Sequence, residues 1–130
     1  MIQRPVLADP HDALDKAERF ADLSEQTPDD AFESVIHGAY FAIFHAARAA
    51  LLAVEGTAST NHGGVAASFA QMGGRPDLCA EPRLLAKARD LHANAHHGYE
   101  NLTEQGRALR AQMRPFLALC ARLVEERAGV

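Results

Sequence analysis

Along most of the chain, apolar residues recur every three or four positions, the spacing of one face of an α-helix. The longest such stretch runs from Thr27 to about Glu55 and closes at Gly56. Nowhere do four or more residues alternate between apolar and polar as in a half-buried strand. We therefore expect one long core helix, whose inward stripe consists of Phe32, Val35, Ile36, Ala39, Tyr40, Ile43, Ala47, Ala50, Leu51 and Val54.

Capping residues predict where the first two helices begin. Asp9 is a capping acid that precedes a proline in the first turn, so a helix is expected over about residues 10–26. Thr27 and Pro28 repeat the arrangement, which predicts that Thr27 caps the long helix. The inward residues expected on the first helix are Leu14, Ala17, Phe20 and Ala21.

Three further helices are expected in the second half of the chain. A short helix covers residues 63–72, and a longer one begins at Pro82 and ends near Gly98. The segment Asn101-Leu102-Thr103-Glu104 has the form of a capping box and begins the last helix. Pro115 lies inside that helix and should kink it. The inward residues expected on the two long helices are Leu84, Leu85, Ala88, Leu91 and Ala95, then Leu109, Met113, Phe116, Cys120 and Leu123.

Composition agrees with a helical protein. Alanine and leucine account for 40 of the 130 residues, whereas valine, isoleucine and threonine number only 13. Alanine and leucine lose little on entering a helix, and β-branched residues are those that a sheet requires. The sequence therefore predicts an all-α fold, an up-and-down bundle of four long helices plus one short helix. The whole chain, residues 1–130, is expected to form a single domain with its core over about residues 10–127.

Charge and cysteine content exclude several classes of protein. The net charge is −4, with 10 acids and 4 bases in residues 1–60 against 7 acids and 9 bases in residues 61–130. This acidity argues against a general nucleic-acid binder but leaves room for a local basic site. Cys79 and Cys120 are too few for a disulfide scaffold. Since no run approaches 18 apolar residues and no signal peptide is visible, we expect a cytoplasmic protein with no membrane contact.

The helix predicted from Pro82 carries a stripe of chemically active side chains. At 100° per residue, Arg89, His92 and His96 fall within about 60° of one another, and His97 lies at the margin. A guanidinium and imidazoles on one surface suit phosphodiester chemistry, because arginine holds phosphate oxygens and histidine moves protons near neutral pH. A solvated helix face would have the same spacing, and that alternative remains open.

A metal site is a second alternative for these histidines. His92 and His96 have the i, i+4 spacing that allows two imidazoles to share a zinc ion. Ala93, however, stands where the glutamate of a zinc-protease motif would be, and the sequence fixes no third ligand. We therefore assign no residue to a metal and expect no cofactor.

A second group of polar and aromatic residues lies on the long helix. His37, Phe41, His45 and Arg48 fall within about 80° of one another, away from the core stripe. They form either a solvated face or a face packed against a partner, with Phe41 on an outer surface as the anchor. We predict the partner interface. His62 stands alone in a loop and is expected to cap or bond that loop rather than to bind a ligand.

The last helix carries a stripe of arginines, Arg107, Arg110 and Arg114. A stripe of like charges on a helix usually belongs to a salt-bridged surface and less often to a phosphate track. We expect the salt-bridged surface.

The middle of the long helix resembles a known family. Its sequence is Ala39-Tyr40-Phe41-Ala42-Ile43-Phe44-His45-Ala46-Ala47-Arg48-Ala49-Ala50-Leu51-Leu52. This segment looks like the HEPN superfamily (higher eukaryotes and prokaryotes nucleotide-binding), in particular its small stand-alone bacterial branch. The loop Thr60-Asn61-His62-Gly63 is similar to a Thr-x-His-x-Gly loop of that branch, with the histidine shifted by one. The resemblance extends from about residue 10 to 125.

The resemblance implies an α-helical bundle that forms a homodimer. Ribonucleases of the superfamily carry an arginine, a polar residue and, after four to six intervening positions, a histidine, and Arg89, Asp90 and His96 fit that pattern. By this resemblance Arg89 holds the phosphate, His96 transfers a proton, and Asp90 orients or supports. We also expect His92 and His97 to contact the substrate. RNA is then cut without metal by its own 2′-hydroxyl, at a site where two copies of the motif meet.

Two functions are therefore expected as alternatives. The first is a metal-independent endoribonuclease, the toxin half of a toxin–antitoxin pair being one form that this activity takes in the family. The second is a non-catalytic helical module that dimerises and binds a nucleotide or a nucleotidyltransferase-like partner. Members of the branch often have Asp-Tyr where His96 and His97 stand here. The two histidines either restore a nuclease motif, as the first function requires, or are incidental, as in the second.

Overall fold

The computed structural model describes residues 9–56, 58, 60–71 and 83–128. Within them the chain forms five helices, in order α1 (Pro10–Gln26), α2 (Phe32–Glu55), α3 (His62–Gln71), α4 (Leu84–His97) and α5 (Thr103–Ala128). None of these residues belongs to a strand. The expected all-α class is confirmed, as is a bundle in which α3, with 10 residues, is the shortest helix.

The beginning of α1 follows the sequence prediction. Asp9 has an extended backbone, and its side chain accepts a hydrogen bond from the backbone N–H of His11 at 2.8 Å. The proline at the first helical position needs no hydrogen bond to its nitrogen. The helix ends at Gln26, as expected from the residues that follow it.

The predicted start of α2 is wrong by several residues. Thr27 belongs to the end of α1, because its hydroxyl donates a hydrogen bond to the carbonyl of Leu23 at 2.7 Å. Its backbone is extended (φ −87°, ψ 133°), the conformation that a following proline favours. The chain then turns, with the N–H of Ala31 donating to the carbonyl of Pro28 at 3.0 Å, and α2 begins only at Phe32 without a side-chain cap.

The central helix of the bundle is α2, which packs against each of the other four helices. Eight of the ten residues of its predicted stripe are buried, and Phe32 and Val54 are partly buried against the core. Many of the remaining buried positions on α2 are alanines, so neighbouring helices approach it on several sides. The helix ends at Glu55, and Gly56 takes the left-handed conformation (φ 81°) that glycine tolerates.

A glycine on α2 sets the distance to α1. A β-carbon at Gly38 would lie 3.0 Å from the Cβ of Ser24 and 3.1 Å from the carbonyl oxygen of Phe20. The close approach lets the buried hydroxyl of Ser24 donate a hydrogen bond to the carbonyl of Val35 at 2.8 Å. The close approach at Gly38 and the hydrogen bond of Ser24 therefore hold α1 and α2 together next to the candidate functional site.

Among the described helices, α2 alone is long and apolar enough to cross a membrane by length and composition. In this bundle, 78% of its most apolar 18-residue window is buried against other helices. The apolar composition of α2 is therefore accounted for by packing inside the bundle.

The two C-terminal helices match their predictions closely. Helix α4 ends at His97 before Gly98, while its predicted start at Pro82 lies outside the described residues. Helix α5 is capped by Asn101, whose side-chain oxygen accepts from the N–H of Thr103 at 3.0 Å, and it continues through Pro115. All five inward residues predicted on α5 are buried. The main core draws residues from all five helices.

Candidate functional site

Two grooves border the face of α4 that carries its histidines. The first, of about 400 Å³, lies between α2, α3 and α4, and we call it the Arg89 groove. The second, of about 450 Å³, lies between the end of α1, the start of α2 and α4, and we call it the Glu33 groove. The Arg89 groove is lined by Tyr40, Phe41, His62, Arg89, His92, Ala93, His96 and His97. The Glu33 groove is lined by Leu23, Thr27, Glu33, Ser34, His37, His92, Ala95 and His96.

The guanidinium of Arg89 lies at the first turn of α3. A β-carbon at Gly63 would lie 3.5 Å from its Nη1 atom, so the backbone of this residue is in van der Waals range of the guanidinium. Burial raises the pKa of Tyr40, and the positive charge of Arg89 partly offsets that rise. Burial lowers the pKa of His62, and the same charge lowers it further. In the part of the chain that the structure describes, no carboxylate forms an ion pair with Arg89.

His92 forms the wall between the two grooves. Its Nε2 atom lies 3.3 Å from Nδ1 of His37, at hydrogen-bonding distance, and its ring stacks on that of Tyr40 with centroids 4.8 Å apart. Burial lowers the pKa of His92, and the neighbouring His37 and His96 lower it further. His92 is consequently neutral near pH 7, able to accept or donate a hydrogen bond without adding charge to the grooves.

His96 and His97 end α4 at the open side of the Arg89 groove. Both are exposed, and their ring centroids are 4.8 Å apart. His96 also lies parallel to His92, one turn earlier on the helix, with ring centroids 6.4 Å apart. The structure thus brings Arg89, His92, His96 and His97 together in one groove, as their spacing predicted, and leaves His96 accessible to a substrate.

Asp90 stands apart from the other predicted catalytic residues. It is exposed but lines neither groove, although it follows Arg89 directly in sequence. One residue along a helix corresponds to a rotation of about 100°, which carries its side chain off the face that Arg89 occupies. Within one chain, Asp90 therefore has no part in the groove.

The residues predicted as a partner interface on α2 face their own chain. Phe41 is half-buried, with its ring 5.3 Å from that of Phe20 and 5.5 Å from that of His92. The expectation that Phe41 stands on an outer surface is wrong, because α1 and α4 cover that side of α2. His37 is exposed in the Glu33 groove. Whether this group also contacts a second chain stays a prediction.

The other two members of that group lie one to two turns further along α2. His45 is half-buried and stacks on Phe20 at 5.7 Å, with their planes 13° apart. Burial, followed by the charges of Lys16 and Arg48, lowers the pKa of His45 to about 4. Arg48 is also half-buried, and neither residue lines the two grooves.

Sequence reasoning missed two members of the groove, Tyr40 and His62. The hydroxyl of Tyr40 forms a short hydrogen bond with Nδ1 of His62, the first residue of α3. The imidazole of His62 also stacks on Phe44, with centroids 4.2 Å apart. A signal for the pair was present, because a tyrosine in a buried stripe needs a polar partner for its hydroxyl. The sequence could not show that the partner comes from a helix that begins 22 residues later.

The arginines of α5 form the salt-bridged surface that was expected. Arg107 and Arg110 both pair with Asp29, and Arg110 also donates to the carbonyl of Thr27 at 3.2 Å. The pKa of Asp29 is lowered, chiefly by its hydrogen bond with Arg110. Arg114 pairs with the carboxylates of α1, namely Glu18, Asp22 and Glu25.

The described residues contain no group of three histidine, cysteine, aspartate or glutamate side chains arranged to hold a metal ion. His92 and His96 therefore share a helix face without a third ligand from the described part of the chain. Cys120 is a buried free thiol whose pKa is raised by burial, and Cys79 lies outside the described residues.

Comparison with known proteins adds no assignment to this geometry. No protein-family model matches the chain, and no curated protein is significantly similar to it.

Proposed function

We propose that the chain is a metal-independent endoribonuclease of HEPN type, which binds an RNA phosphodiester in the Arg89 groove and cleaves it. The observation that carries the proposal is that Arg89, without a carboxylate partner among the described residues, shares one open groove with the imidazoles of His92, His96 and His97. A guanidinium that holds phosphate oxygens and an imidazole that transfers a proton are the groups that this reaction requires.

In the proposed reaction the 2′-oxygen of a ribose attacks the neighbouring phosphorus and loses its proton. The bond from phosphorus to the 5′-oxygen of the next nucleotide breaks, and that oxygen takes up a proton. The products are a 2′,3′-cyclic phosphate and a 5′-hydroxyl, so no water or redox partner is consumed. Arg89 stabilises the negative charge that develops on the phosphate oxygens, and His96 takes part in proton transfer. His92 and His97 contact the substrate beside them.

The proposal extends to the assembly of the protein. As the resemblance to the HEPN superfamily implies, two chains form a homodimer in the bacterial cytoplasm and their motifs meet across it. Asp90 lines neither the Arg89 groove nor the Glu33 groove of its own chain, so a supporting role for it depends on contact with the second copy. As a toxin, the protein would be neutralised by a co-encoded nucleotidyltransferase-like antitoxin.

RNA cleavage in the presence of EDTA tests this function. We expect purified protein to cut a single-stranded RNA under these conditions, and His96→Ala to reduce the rate by about 10²–10⁴-fold, the usual cost of losing a group that transfers a proton. His11→Ala is the matched control, since His11 is exposed at the start of α1 and contacts Asp9 and Glu125. Equal cleavage by wild type and His96→Ala would contradict the proposal.

A second candidate function is a non-catalytic interaction module. Two exposed side chains favour it: Leu23, which is 51% exposed at the rim of the Glu33 groove, and Tyr99, which is fully exposed just after α4. The net charge of −4 also disfavours RNA as a ligand. Intact RNA in every condition, together with tight binding of a nucleotidyltransferase-like protein encoded beside the gene, is the result that this alternative predicts.

A further inference from the structure

The Arg89 groove holds a histidine to which the proposed function gives no role. His62 lines the groove together with Arg89 and His96, and all three belong to the same chain. Its neighbour Gly63 lies directly against the guanidinium of Arg89, with 3.5 Å between the position of a β-carbon and Nη1. A phosphate held by Arg89 would therefore lie next to the first turn of α3, which carries this imidazole.

The ring of His62 is held in a defined orientation. It stacks on Phe44 with centroids 4.2 Å apart, meets Phe41 edge to face at 5.6 Å, and hydrogen-bonds through Nδ1 to the hydroxyl of Tyr40. Tyr40 is itself buried, so its hydroxyl is fixed by the packing of α2. With Nδ1 engaged, Nε2 is the nitrogen that remains for a substrate. A ring held by packing and by a hydrogen bond at the nitrogen that does not meet the substrate is typical of an imidazole that acts in catalysis.

We propose that His62 is a second catalytic residue of the ribonuclease, the general base that takes the proton from the attacking 2′-hydroxyl, and that Tyr40 is its positioning residue. This inference rests on the proposed function. The 2′-oxygen gives its proton to Nε2 of His62 and forms the new bond to phosphorus. The bond from phosphorus to the 5′-oxygen breaks as that oxygen receives a proton from His96 on the other side of the groove. Exchange with water then restores both histidines.

The environment of His62 suits the role of base. Burial lowers the pKa of its imidazole, and the nearby charge of Arg89 lowers it further, so the ring is neutral near pH 7. The role of base requires the tautomer in which Nδ1–H of His62 donates to the hydroxyl oxygen of Tyr40, because Nε2 then carries the free lone pair. Burial raises the pKa of Tyr40, so its hydroxyl stays neutral beside the ring. His96 is exposed and is placed to protonate the oxygen that leaves.

The two histidines can be told apart by changing the leaving group. A ribose 3′-(4-nitrophenyl phosphate) releases 4-nitrophenolate, which needs no proton to leave, whereas the 5′-oxygen of RNA does. We expect His96→Gln to lose about 100-fold or more on RNA but to recover most of the rate on the nitrophenyl ester. His62→Gln should lose about 100-fold or more on both substrates, because the attacking hydroxyl is the same. His11→Gln is the matched control and should cleave both substrates like wild type.

Tyr40→Phe tests the positioning role separately and serves if His62→Gln fails to fold. It keeps the aromatic packing but removes the hydrogen bond to His62. We expect kcat on both substrates to fall about tenfold while KM stays near that of wild type, and the pH–rate profile to shift at its acidic limb. An unchanged kcat and pH profile in Tyr40→Phe would overturn the positioning role.

The outcomes separate this inference from the function on which it rests. If wild type cleaves RNA and His62→Gln cleaves it equally well, the inference fails and the proposed function stands. Recovery of His62→Gln on the nitrophenyl ester would make His62 the acid and overturn its assignment as base. If folded wild type cleaves neither substrate, the proposed function itself fails.

Discussion

Arginines line two surfaces of this bundle, and their surroundings differ. On α5, Arg110 and Arg114 pair with carboxylates: Arg110 with Asp29 in the turn after α1, and Arg114 with three acidic residues of α1. On α4, Arg89 faces tyrosine, phenylalanine and histidine side chains, and no carboxylate of the described residues pairs with it. The same residue type is paired with carboxylates on one surface and lies beside aromatic and histidine side chains on the other. The difference lies in the residues packed opposite each arginine, which are carboxylates on the α5 side and aromatic and histidine side chains on the α4 side.

The largest effect expected from this difference is on catalysis. Arg89→Ala should reduce RNA cleavage about 10²–10³-fold, the usual cost of removing one group that stabilises transition-state charge. Arg114→Ala should leave the rate per folded molecule unchanged, because its three carboxylate partners already neutralise that arginine. Single-turnover cleavage in EDTA, with the folded fraction measured by circular dichroism, compares the two variants. Equal losses would remove the distinction between the surfaces.

The next largest effect concerns stability. Here the arginine variant on α5 should lose more than the arginine variant on α4. Arg110 is only 18% exposed in its side chain and links the carbonyls of Ser24 and Thr27 to Asp29. Arg110→Ala should lower the free energy of unfolding by about 1–3 kcal/mol, because three partly buried acceptors lose a charged donor. Urea denaturation measures this change, and Arg89→Ala, which breaks no ion pair among the described residues, is the control. A larger loss in Arg89→Ala would show that Arg89 is the structural arginine.

The stability of the bundle is also expected to depend on pH through His45, which stacks on Phe20. In the folded protein the pKa of His45 is lowered to about 4, mainly by burial, against about 6.5 in an unfolded chain. Between these values the unfolded chain binds more protons, so stability falls as the pH drops from 7 towards 4. After allowance for partial exposure we expect a loss of about 1–2 kcal/mol.

Comparison of wild type with His45→Phe isolates this contribution. The phenylalanine keeps the stacking on Phe20 and removes the titrating group. Thermal unfolding at pH 7 and pH 5 should show a smaller loss of stability in the variant than in wild type. Identical pH dependence in the two proteins would show that His45 is not the group responsible.

The smallest effect is expected at Arg107. Its side chain is 51% exposed, and its pairs with Asp29 and Glu104 are open to solvent. Arg107→Ala should therefore change the free energy of unfolding by less than about 1 kcal/mol, and 0.5 M salt should reduce the difference further. Urea denaturation at low and high salt checks both statements, and a loss as large as that of Arg110→Ala would contradict the ranking by burial.

Local sequence signals predicted most of the fold because they act within a few residues. Asp9 caps α1, Gly56 ends α2 and Gly98 follows α4 at the positions expected. The start of α2 could not be predicted in this way, because the hydroxyl of Thr27 can bond either to the end of α1 or to the beginning of α2. Its bond to Leu23 at the end of α1 left the residues Pro28–Asp30 in a turn.

The candidate site was predicted only in part, since it joins three helices. Helical spacing correctly grouped Arg89, His92 and His96, which lie on one helix. It could not bring His62 of α3 to Tyr40 of α2, because that contact depends on how the two helices pack. The same limit explains Phe41, whose outer position on an isolated α2 is covered by α1 and α4 in the bundle.

The ends of the RNA produced in EDTA test the central claim most directly. Phosphorus NMR or mass spectrometry of the cleaved RNA should show a 2′,3′-cyclic phosphate with a matching 5′-hydroxyl, formed by wild type and about 10²–10³-fold more slowly by Arg89→Ala. A substrate whose riboses lack the 2′-hydroxyl should remain intact. Linear 5′-phosphate ends, or equal product from Arg89→Ala, would contradict the account of the Arg89 groove.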